Sequence, residues 1–315
     1  MIGIYAHHAG SGHLHRCRAI QAELTELAEP SVIFSSAGGA DIHLPMDVGE
    51  TAASPSVNGT LHWAPTGVPG HTARLSVIAE WINRVQPRAF FVDVSVEVAV
   101  FVRLLGIPVA TLAMPGVRDD PPHQLGYAQA AAIIAAWPEW VPVPEHLGTH
   151  AERLHAVGGI SRLLPRAEIP RENRVIVLQG KGGDNWEERH WAQIAERTPH
   201  LDWEILGGAN RVADPMPKLR GASVVIAAAG QNSIADIAAA GTPAIILPQP
   251  RPFAEQEATA RTLADAGLAL VPENHPALDE WPELIEKARH STPQWQRWQT
   301  QGAAHRAAKI LQEIS

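Results

Sequence analysis

The fold is decided by one stretch of the sequence, residues 224–247, which reads VVIAAAGQNSIADIAAAGTPAIIL. An apolar run leads into a glycine turn and then into a segment of helical period. That segment stops at Gly241, with Pro243 beyond it, as helix ends commonly do. A second apolar run follows at once. The stretch therefore predicts a strand–helix–strand unit, whose two strands lie parallel in one sheet.

The same alternation of short apolar runs and helical segments extends over most of the chain and predicts a parallel sheet in each half, with helices on both faces. Predicted strands lie at 1–6, 31–34, 89–94, 108–112, 175–178, 201–206, 223–227, 244–247 and 268–271. Terminal helices are predicted near 278–290 and 294–314. Residues 158–174 carry glycines, prolines and arginines without a clear period, so they are the predicted linker. We therefore expect two Rossmann-like, doubly wound α/β domains facing an interdomain cleft, over residues 1–157 and 175–315, with the last helix able to pack back on the first domain.

Composition excludes several classes of protein. The 315 residues carry 25 basic and 33 acidic side chains, and residues 1–157 carry 8 and 14, a net charge of −6. This balance argues against nucleic acid as a partner and disfavours polyanionic acceptors. The single cysteine, Cys17, excludes a disulfide framework. The first residues do not read as a signal peptide, and no uncharged apolar run is long enough to span a membrane, so the expected location is cytoplasmic.

Three predicted strand-to-helix turns are rich in glycine: 10–12, 180–183 and 230–233. In open α/β sheets ligands collect at the carboxyl ends of strands, where helix amino termini offer free N–H groups that suit a phosphate. Any one such turn is explained by chain reversal alone, but three together favour a phosphate-bearing ligand. None is a Walker loop or a complete dinucleotide fingerprint.

His13 follows the first of these turns and is a candidate general base. Its alternative role is that of a capping or surface histidine. Asp93 ends a predicted strand and either orients His13 or caps the next helix. Asp119 and Asp120 resemble a paired-carboxylate metal site, yet an aspartate before proline more often caps a turn. Trp63 either stacks on a sugar or packs in the interior, the latter being favoured.

A family resemblance becomes specific at residues 224–271. The run AGQNSIADIAAAGTPA at 229–244, Pro248, Glu255-Gln256 and Ala266-Gly267 resemble the nucleotide site of GT-B glycosyltransferases of family 28. The run GSGHLHR at 10–16 is similar to that group's amino-terminal Gly-x-Gly-His-x-x-Arg loop. The loop QGKGG at 179–183 is similar to the one that opens its second domain.

The resemblance implies a hexosyltransferase-type enzyme that moves a sugar from a nucleotide diphosphate sugar, UDP-linked by preference, to an acceptor hydroxyl, with inversion and without a metal or other cofactor. It implies that the domain 1–157 binds the acceptor and that the domain 175–315 binds the nucleotide sugar. It implies His13 and Asp93 as catalytic residues. The implied residues for donor and nucleotide binding are Gly12, Gly180, Lys181, Gly182, Gly230, Gln231, Asn232, Ser233, Asp236, Glu255 and Gln256. Asp236 would accept hydrogen bonds from the ribose hydroxyls, and Gln256 would contact the sugar or ribose.

The sequence departs from the family pattern at three points. Ala228-Ala229 stands where many relatives carry His, Arg or Ser, so backbone groups would hold the diphosphate, aided by Lys181 or Arg251. Asp236 replaces the usual Glu, and Glu255 the commoner Asp. The sugar, the base and the acceptor therefore stay open; the acceptor is a neutral glycan, a small metabolite or a lipid reached by weak peripheral membrane contact.

Three competing functions share these features. The UDP-sugar hydrolase of pseudaminic acid synthesis has a similar Gly-x-Gly-His-x-x-Arg loop, so water is an alternative acceptor. A nucleotide-sugar 2-epimerase shares the two-domain outline, although no carboxylate pair is assigned to its chemistry. A non-catalytic nucleotide-sugar-binding protein is the third.

Overall fold

The computed structural model of the chain describes residues 1–49, 53–163, 169–180 and 188–314. The chain forms two compact units. The first comprises Met1–Ile160 together with Gly302–Ser315, and the second comprises Ser161–Gln301. Each unit is a parallel sheet with helices, as the alternating sequence pattern predicts. Within the described ranges, the helices are too short or too polar to cross a membrane.

The first unit is built on a seven-stranded sheet in which every described pair of neighbours is parallel. The order is β3-β2-β1-β4-β5-β6-β7. The strands are β1 (Ile2–Ala6), β2 (Ser31–Ser35), β3 (Ile42–His43), β4 (Ala89–Asp93), β5 (Val109–Ala113), β6 (Ala132–Ala135) and β7 (Leu154–Ala156). The helices are α1 (Gly12–Glu26), α2 (Pro69–Val85), α3 (Val96–Leu104), α4 (Pro121–Gln129) and the C-terminal helix (Ala303–Glu313).

Both faces of this sheet are buried, because alternate residues of a strand point to opposite sides. Ile2 and Ile4 of β1 belong to the core on the face that α1 and the C-terminal helix cover. Tyr5 belongs to the core on the opposite face, with side chains from α2 and α3. A Cβ at Gly3 would lie 2.3 Å from the ring of Phe90, its partner on β4. Glycine at this position therefore allows a bulky aromatic side chain on the neighbouring strand.

The second unit contains a four-stranded parallel sheet in the order β11-β10-β8-β9. The strands are β8 (Arg174–Leu178), β9 (Asp202–Leu206), β10 (Val224–Ala227) and β11 (Ala244–Ile246). The helices are α5 (Glu188–Arg197), α6 (Met216–Gly221), α7 (Gln231–Ala240), α8 (Glu255–Asp265) and α9 (Trp281–Arg289). Val175 and Val177 of β8, Ile226 of β10 and Trp281 of α9 pack in one core.

Two predictions differ from the structure. Residues 268–271 were expected to form a strand, but Leu270 makes a single bridge to Ile245. The expected helix over 294–314 is divided into a 3-10 turn, Trp295–Trp298, and the C-terminal helix, because Gln299 and Gly302 adopt positive φ angles of 55° and 71°. The C-terminal helix lies within the bounds 175–315 but belongs to the first unit, where Ala307 and Leu311 join the core of α1, as the predicted return of this helix to the first domain allows.

Candidate functional site

The first unit places its candidate residues at the switch point of its sheet. β1 and β4 are neighbours, yet the chain continues from β1 toward β2 on one side and from β4 toward β5 on the other. In open parallel sheets, ligands bind beyond the carboxyl ends of the strands at such a point. The turn that carries Gly10 and Gly12 follows β1, and Asp93 is the last residue of β4. Both sequence-predicted catalytic residues therefore lie at the expected end of the sheet.

His13 and Asp93 are in contact. Nδ1 of His13 lies 3.2 Å from Oδ1 of Asp93, and Nη2 of Arg16 lies 2.8 Å from the same oxygen. Nη2 of Arg16 is also 3.3 Å from Nδ1 of His13. An ionised carboxylate only accepts hydrogen bonds, so we assign the imidazole proton to Nδ1, which donates it to Asp93. This tautomer leaves Nε2 of His13 as the proton acceptor, the arrangement that a general base requires.

Asp93 is fully buried. Burial alone would raise the pKa of its carboxyl, but the charge of Arg16 and the hydrogen bonds from His13 and Arg16 outweigh it and lower this pKa well below the usual range. The thiol of Cys17 also donates to Asp93, at 3.6 Å. Ser95, not Asp93, caps α3, because Oγ of Ser95 accepts from the N–H of Val98 at 3.2 Å. Of the two roles expected for Asp93, the structure shows the contact with His13.

A cavity of about 330 Å³ opens within the first unit, beside the ends of β1 and β4. We call it the histidine-lined cavity, since its walls include His7, His8, His62, His71 and His123. The ring of His7 meets the ring of His13 edge-on, with their centroids 5.7 Å apart. Burial, the nearby His13 and the nearby His8 lower the pKa of His7 to about 4. Its Nδ1 accepts the N–H of Ala9 at 3.1 Å, so the proton lies on Nε2.

His62, Asp120 and His123 form a cluster at the cavity wall, with ligand atoms that all lie within 4.8 Å of one another. Nε2 of His62 and Nδ1 of His123 lie 3.0 and 2.6 Å from the two oxygens of Asp120. Arg118 donates to Nε2 of His123 at 3.0 Å, so His123 carries its proton on Nδ1. A metal at that Nδ1 would need Nε2 to carry a proton facing the Arg118 donor. This donor set therefore fits a hydrogen-bonded network better than a cation.

Asp120 also caps α4, since its Oδ1 accepts a hydrogen bond from the backbone N–H of His123 at 3.2 Å. This is the capping role that the sequence favours for an aspartate before proline. Burial is the main cause of the low pKa of His123, about 4, and the charge of Arg118 adds to it. The imidazole ring of His123 is therefore uncharged near pH 7. Long-range pairing with His62 was not evident in the sequence, where the two positions lie far apart.

The second unit has its switch point between β8 and β10. Gly180 follows β8 and Gly230 follows β10, on adjacent strands. Gly230 precedes α7 as its N-cap, and its own conformation, φ −70° and ψ 133°, is open to any residue. Among the described residues, a Cβ at Gly180 or at Gly230 would meet no heavy atom within 4 Å. Lys181 and Gly182, predicted for the same loop, lie outside the described residues.

The first turn of α7 contains Gln231, Asn232 and Ser233. The first N–H groups of a helix have no partner within it, and together with the helix dipole they favour an anion. Gln231 is buried, whereas Asn232 and Ser233 are partly exposed. The three predicted residues therefore lie together at a helix start that faces open space beside Gly230.

Asp236 lies one turn further along α7. Its Oδ1 accepts from Oγ of Ser161 at 2.7 Å, and its Oδ2 lies 4.0 Å from Nε of Arg162. Burial raises the pKa of Asp236 to about 6, although the bond from Ser161 and the charge of Arg162 oppose the shift. The sequence assigned Ser161 and Arg162 to a linker, and missed that they reach this carboxyl. In the sequence, these contacts were indicated only by the polar character of Ser161 and Arg162.

Gln256 is buried at the start of α8, where its side chain joins two loops. Its Oε1 accepts from the N–H of Ala229 at 3.1 Å and from the N–H of Gln249 at 3.0 Å. The acceptor atom of this predicted donor-binding residue is therefore used to hold the loops after β10 and β11. Glu255, partly buried, begins the same helix after Phe253 and Ala254, which both adopt positive φ angles.

Known proteins resemble this chain in sequence and in fold. Residues 154–314 match the model of the glycosyltransferase family 28 C-terminal domain. A UDP-N-acetylglucosamine–N-acetylmuramyl-(pentapeptide) pyrophosphoryl-undecaprenol N-acetylglucosamine transferase from Synechococcus sp. (strain CC9902) is 28% identical over 215 residues. The alignment spans 59% of this chain and 55%, about half, of that relative.

Solved structures resemble the chain over nearly its whole length. The glycosyltransferase of kitacinnamycin has a TM-score of 0.70 at 14% identity and covers 99% of this chain and 98% of its own. MurG from Acinetobacter baumannii has a TM-score of 0.64 at 16% identity, and the match covers 99% of this chain and 100% of the MurG chain. The calicheamicin glycosyltransferase CalG4 has a TM-score of 0.66 at 17% identity, and the match covers 99% of this chain and 98% of the CalG4 chain. These likenesses show the GT-B fold.

Proposed function

The chain belongs to glycosyltransferase family 28, and from that membership we propose that it moves a sugar from a nucleotide diphosphate sugar to an acceptor hydroxyl. The observation that carries the proposal is the contact of His13 with Asp93, at 3.2 Å, which leaves Nε2 of His13 as a proton acceptor. Such a pair supports an enzyme over a protein that only binds nucleotide sugars.

The reaction we propose is a single displacement. Nε2 of His13 takes the proton of the acceptor hydroxyl while the oxygen of that hydroxyl forms a bond to the anomeric carbon of the donor sugar. The bond between that carbon and the diphosphate oxygen breaks, and the nucleoside diphosphate leaves with the electron pair. Because attack and departure occur on opposite faces, the anomeric configuration inverts. Asp93 holds the imidazole in the required tautomer and compensates its positive charge after proton transfer.

The donor in this proposal binds at the start of α7. Its diphosphate would accept hydrogen bonds from the backbone N–H groups of Asn232 and Ser233. These groups lie beside Gly230, where an added Cβ would meet no heavy atom of the described residues within 4 Å. Asp236 would accept the ribose hydroxyls in place of the Ser161 hydroxyl. Because backbone donors and the helix dipole supply the positive potential, we propose that no metal is required. Donor turnover that stops when a chelator is added would contradict this part.

UDP is our preferred nucleotide because the name of the Synechococcus relative includes a UDP-sugar. A structural neighbour of the same fold is a rhamnosyltransferase complexed with thymidine diphosphate. The names of these relatives mention compounds as different as a pyrophosphoryl-undecaprenol, kitacinnamycin and calicheamicin. Likeness to these proteins therefore leaves the acceptor of this chain to be found. A cytoplasmic location stays a prediction.

The test is to incubate the purified protein with UDP-sugars, with and without cell extract, and to analyse the nucleotide and sugar products. We expect UDP release that depends on the extract. Release without extract would identify a hydrolase, since water would then be the acceptor. A changed sugar still attached to UDP would identify an epimerase, and intact donor in every mixture would identify a binding protein.

A further inference from the structure

The histidine-lined cavity carries polar atoms that no hydrogen bond within the described residues satisfies. Asp47 and Arg74 are more than nine-tenths buried at its wall. Oδ1 of Asp47, Nε of Arg74, Nδ1 of His8 and Nδ1 of His71 have no hydrogen-bond partner among the described residues. A buried polar atom without a hydrogen-bond partner is unfavourable, so a ligand that satisfies these atoms gains stabilisation. A carboxylate oxygen accepts only, and therefore requires a ligand with a hydroxyl or N–H donor.

The charges at the wall do not suit an anion. Arg74 is paired with the other oxygen of Asp47 and also donates to Oγ of Ser36 at 2.7 Å. Glu97 adds a second carboxylate, which accepts the backbone N–H groups of His62 and Trp63 at 2.7 and 3.0 Å. Carboxylates thus outnumber guanidinium groups at this wall. A bound phosphate or carboxylate would lose its water without gaining an unpaired cation.

The histidines at the wall do not supply that cation either. Burial lowers the pKa of His7 and of His123 to about 4, and it lowers the pKa of His8 and of His71 as well. These four rings are therefore neutral near pH 7. Neutral imidazoles offer flat faces for stacking and single hydrogen-bonding atoms, without attraction for an anion.

The rest of the wall is apolar or aromatic. Trp63, Tyr127, Leu75 and Met114 are among the lining residues. Nε1 of Trp63 donates to the backbone oxygen of Asp47 at 2.9 Å, so the indole ring is held in place. A volume of about 330 Å³ lies within the range of small-molecule sites, which are mostly apolar with a few converging polar groups. Through His7, this wall adjoins the ring of His13.

We propose that the histidine-lined cavity binds an uncharged, largely apolar ring compound whose hydroxyl groups donate to Asp47, and that this compound is the sugar acceptor. The binding rests on the cavity itself, while the acceptor role rests on the proposed function. The ring stacks among the neutral imidazoles and Trp63. One hydroxyl of the compound points past His7 toward Nε2 of His13, where it would lose its proton.

The probe is methylumbelliferone, a hydroxylated bicyclic ring, at a slightly acidic pH that keeps its phenol protonated. Its phosphate ester, methylumbelliferyl phosphate, is the matched anion. Calorimetric titration of the full chain should show binding of the phenol and at least about tenfold weaker binding of the ester. Equal or tighter binding of the ester, or no binding of the phenol, would overturn the proposal. This comparison needs no variant.

Two variants of α2 locate the binding. Leu75 lines the cavity, so Leu75→Trp places a large ring inside it. The next residue, Ser76, is exposed and is not part of the cavity wall, so Ser76→Trp places the same ring on the protein surface. We expect Leu75→Trp to weaken phenol binding by at least about tenfold and Ser76→Trp to leave it unchanged. Equal affinity in both variants, with native circular dichroism spectra, would place the ligand elsewhere and overturn the proposal.

The same phenol is then offered as acceptor with UDP-sugars. A glycosylated product is expected. If the phenol and the ester bind equally while UDP release still depends on extract, the cavity proposal fails and the transferase proposal stands. If the phenol binds selectively but no sugar leaves any donor even with extract, the proposed function fails and the ligand preference of the cavity stands.

Discussion

Nδ1 of His13 lies 3.2 Å from Oδ1 of Asp93, although 80 positions separate the two residues in the sequence. The contact joins the first turn of α1 to the last residue of β4. Because β1 and β4 are paired directly, the backbone holds both side chains at one end of the sheet. The proposed base and the carboxylate that would orient it are thus placed by regular secondary structure and not by a mobile loop.

Replacement of His13 by alanine tests its role as the base. General-base assistance contributes about 10²–10⁴-fold to a rate, so His13→Ala should lower kcat by about that factor. The affinity for the donor should stay unchanged, because the proposed donor site lies on α7. Donor consumption and UDP titration measure the two quantities separately. His15→Ala, on the same helix, is the control, and a similar loss of kcat there would show that the effect is structural.

Asp93→Asn should change the acid stability of the first unit. The pKa of Asp93 is lowered in the folded protein, so its ionised form stabilises the fold above its ordinary value of 3.8, and this contribution is lost as the pH falls. At neutral pH the variant removes the carboxylate charge that is paired with the buried Arg16, at a cost of about 3–5 kcal/mol.

Urea unfolding measured between neutral and strongly acidic pH checks this expectation. The wild type should lose stability as the pH falls below the ordinary value of 3.8 toward the lowered pKa of Asp93, and Asp93→Asn should show a lower but flatter profile. The control is Asp279→Asn, because the Asp279 side chain is 94% exposed. Parallel profiles for wild type and Asp93→Asn would contradict the account of the buried ion pair.

Asp236 predicts a pH dependence of donor binding. Burial raises its pKa to about 6, so the carboxylate that would accept the ribose hydroxyls becomes protonated as the pH falls through that value. UDP affinity should fall by about tenfold in this window, as charge-assisted hydrogen bonds are lost. Asp236→Asn should bind UDP weakly and without this dependence. Pyrophosphate, which has no ribose, should bind wild type and variant equally at each pH.

The stability of the same variant separates binding from folding. A raised carboxyl pKa means that the protonated form stabilises the fold, fully below the ordinary value of 3.8, and that this contribution is lost as the pH rises through about 6. Asp236→Asn should therefore be at least as stable as the wild type near pH 7. A lower melting temperature there would show that the ionised side chain supports the fold instead.

Gly230 tests the anion site without disturbing the helix. Its φ of −70° suits any residue, and a Cβ there would meet no heavy atom of the described residues within 4 Å. Gly230→Thr should therefore leave the melting temperature nearly unchanged, because threonine is about as good an N-cap as glycine, while its branched side chain occupies the space proposed for the diphosphate. UDP affinity should fall by at least about tenfold. Gly148→Thr, at another open glycine, should leave UDP affinity as it is.

The sequence predicted most of the strands of both sheets, because alternating apolar runs and glycine turns depend on local chemistry. It also placed His13 and Asp93 at strand ends that parallel pairing brings together. It assigned no contact to Arg16, the arginine of the Gly-x-Gly-His-x-x-Arg loop, which shares the carboxylate of Asp93, although its position three residues after His13 puts both on one helix face. Helical spacing was thus the signal that could have found it.

Contacts between distant segments could not be predicted in this way. The pairs of Asp47 with Arg74 and of Ser161 with Asp236 depend on loop paths that local patterns do not specify. The unit that receives the C-terminal helix depends on side chains such as Ala307, which pack against α1. A periodic apolar face predicts that a helix packs, but not on which sheet.

The most direct test of the central claim follows the sugar itself. The protein is mixed with a UDP-sugar labelled in the sugar, together with cell extract, and the label is traced in wild type and in His13→Ala. We predict that the label appears in a new glycosylated product, with one UDP released per label transferred, and that His13→Ala largely loses this transfer. Label that stays on the donor in both proteins, or that appears only as free sugar, would contradict the account.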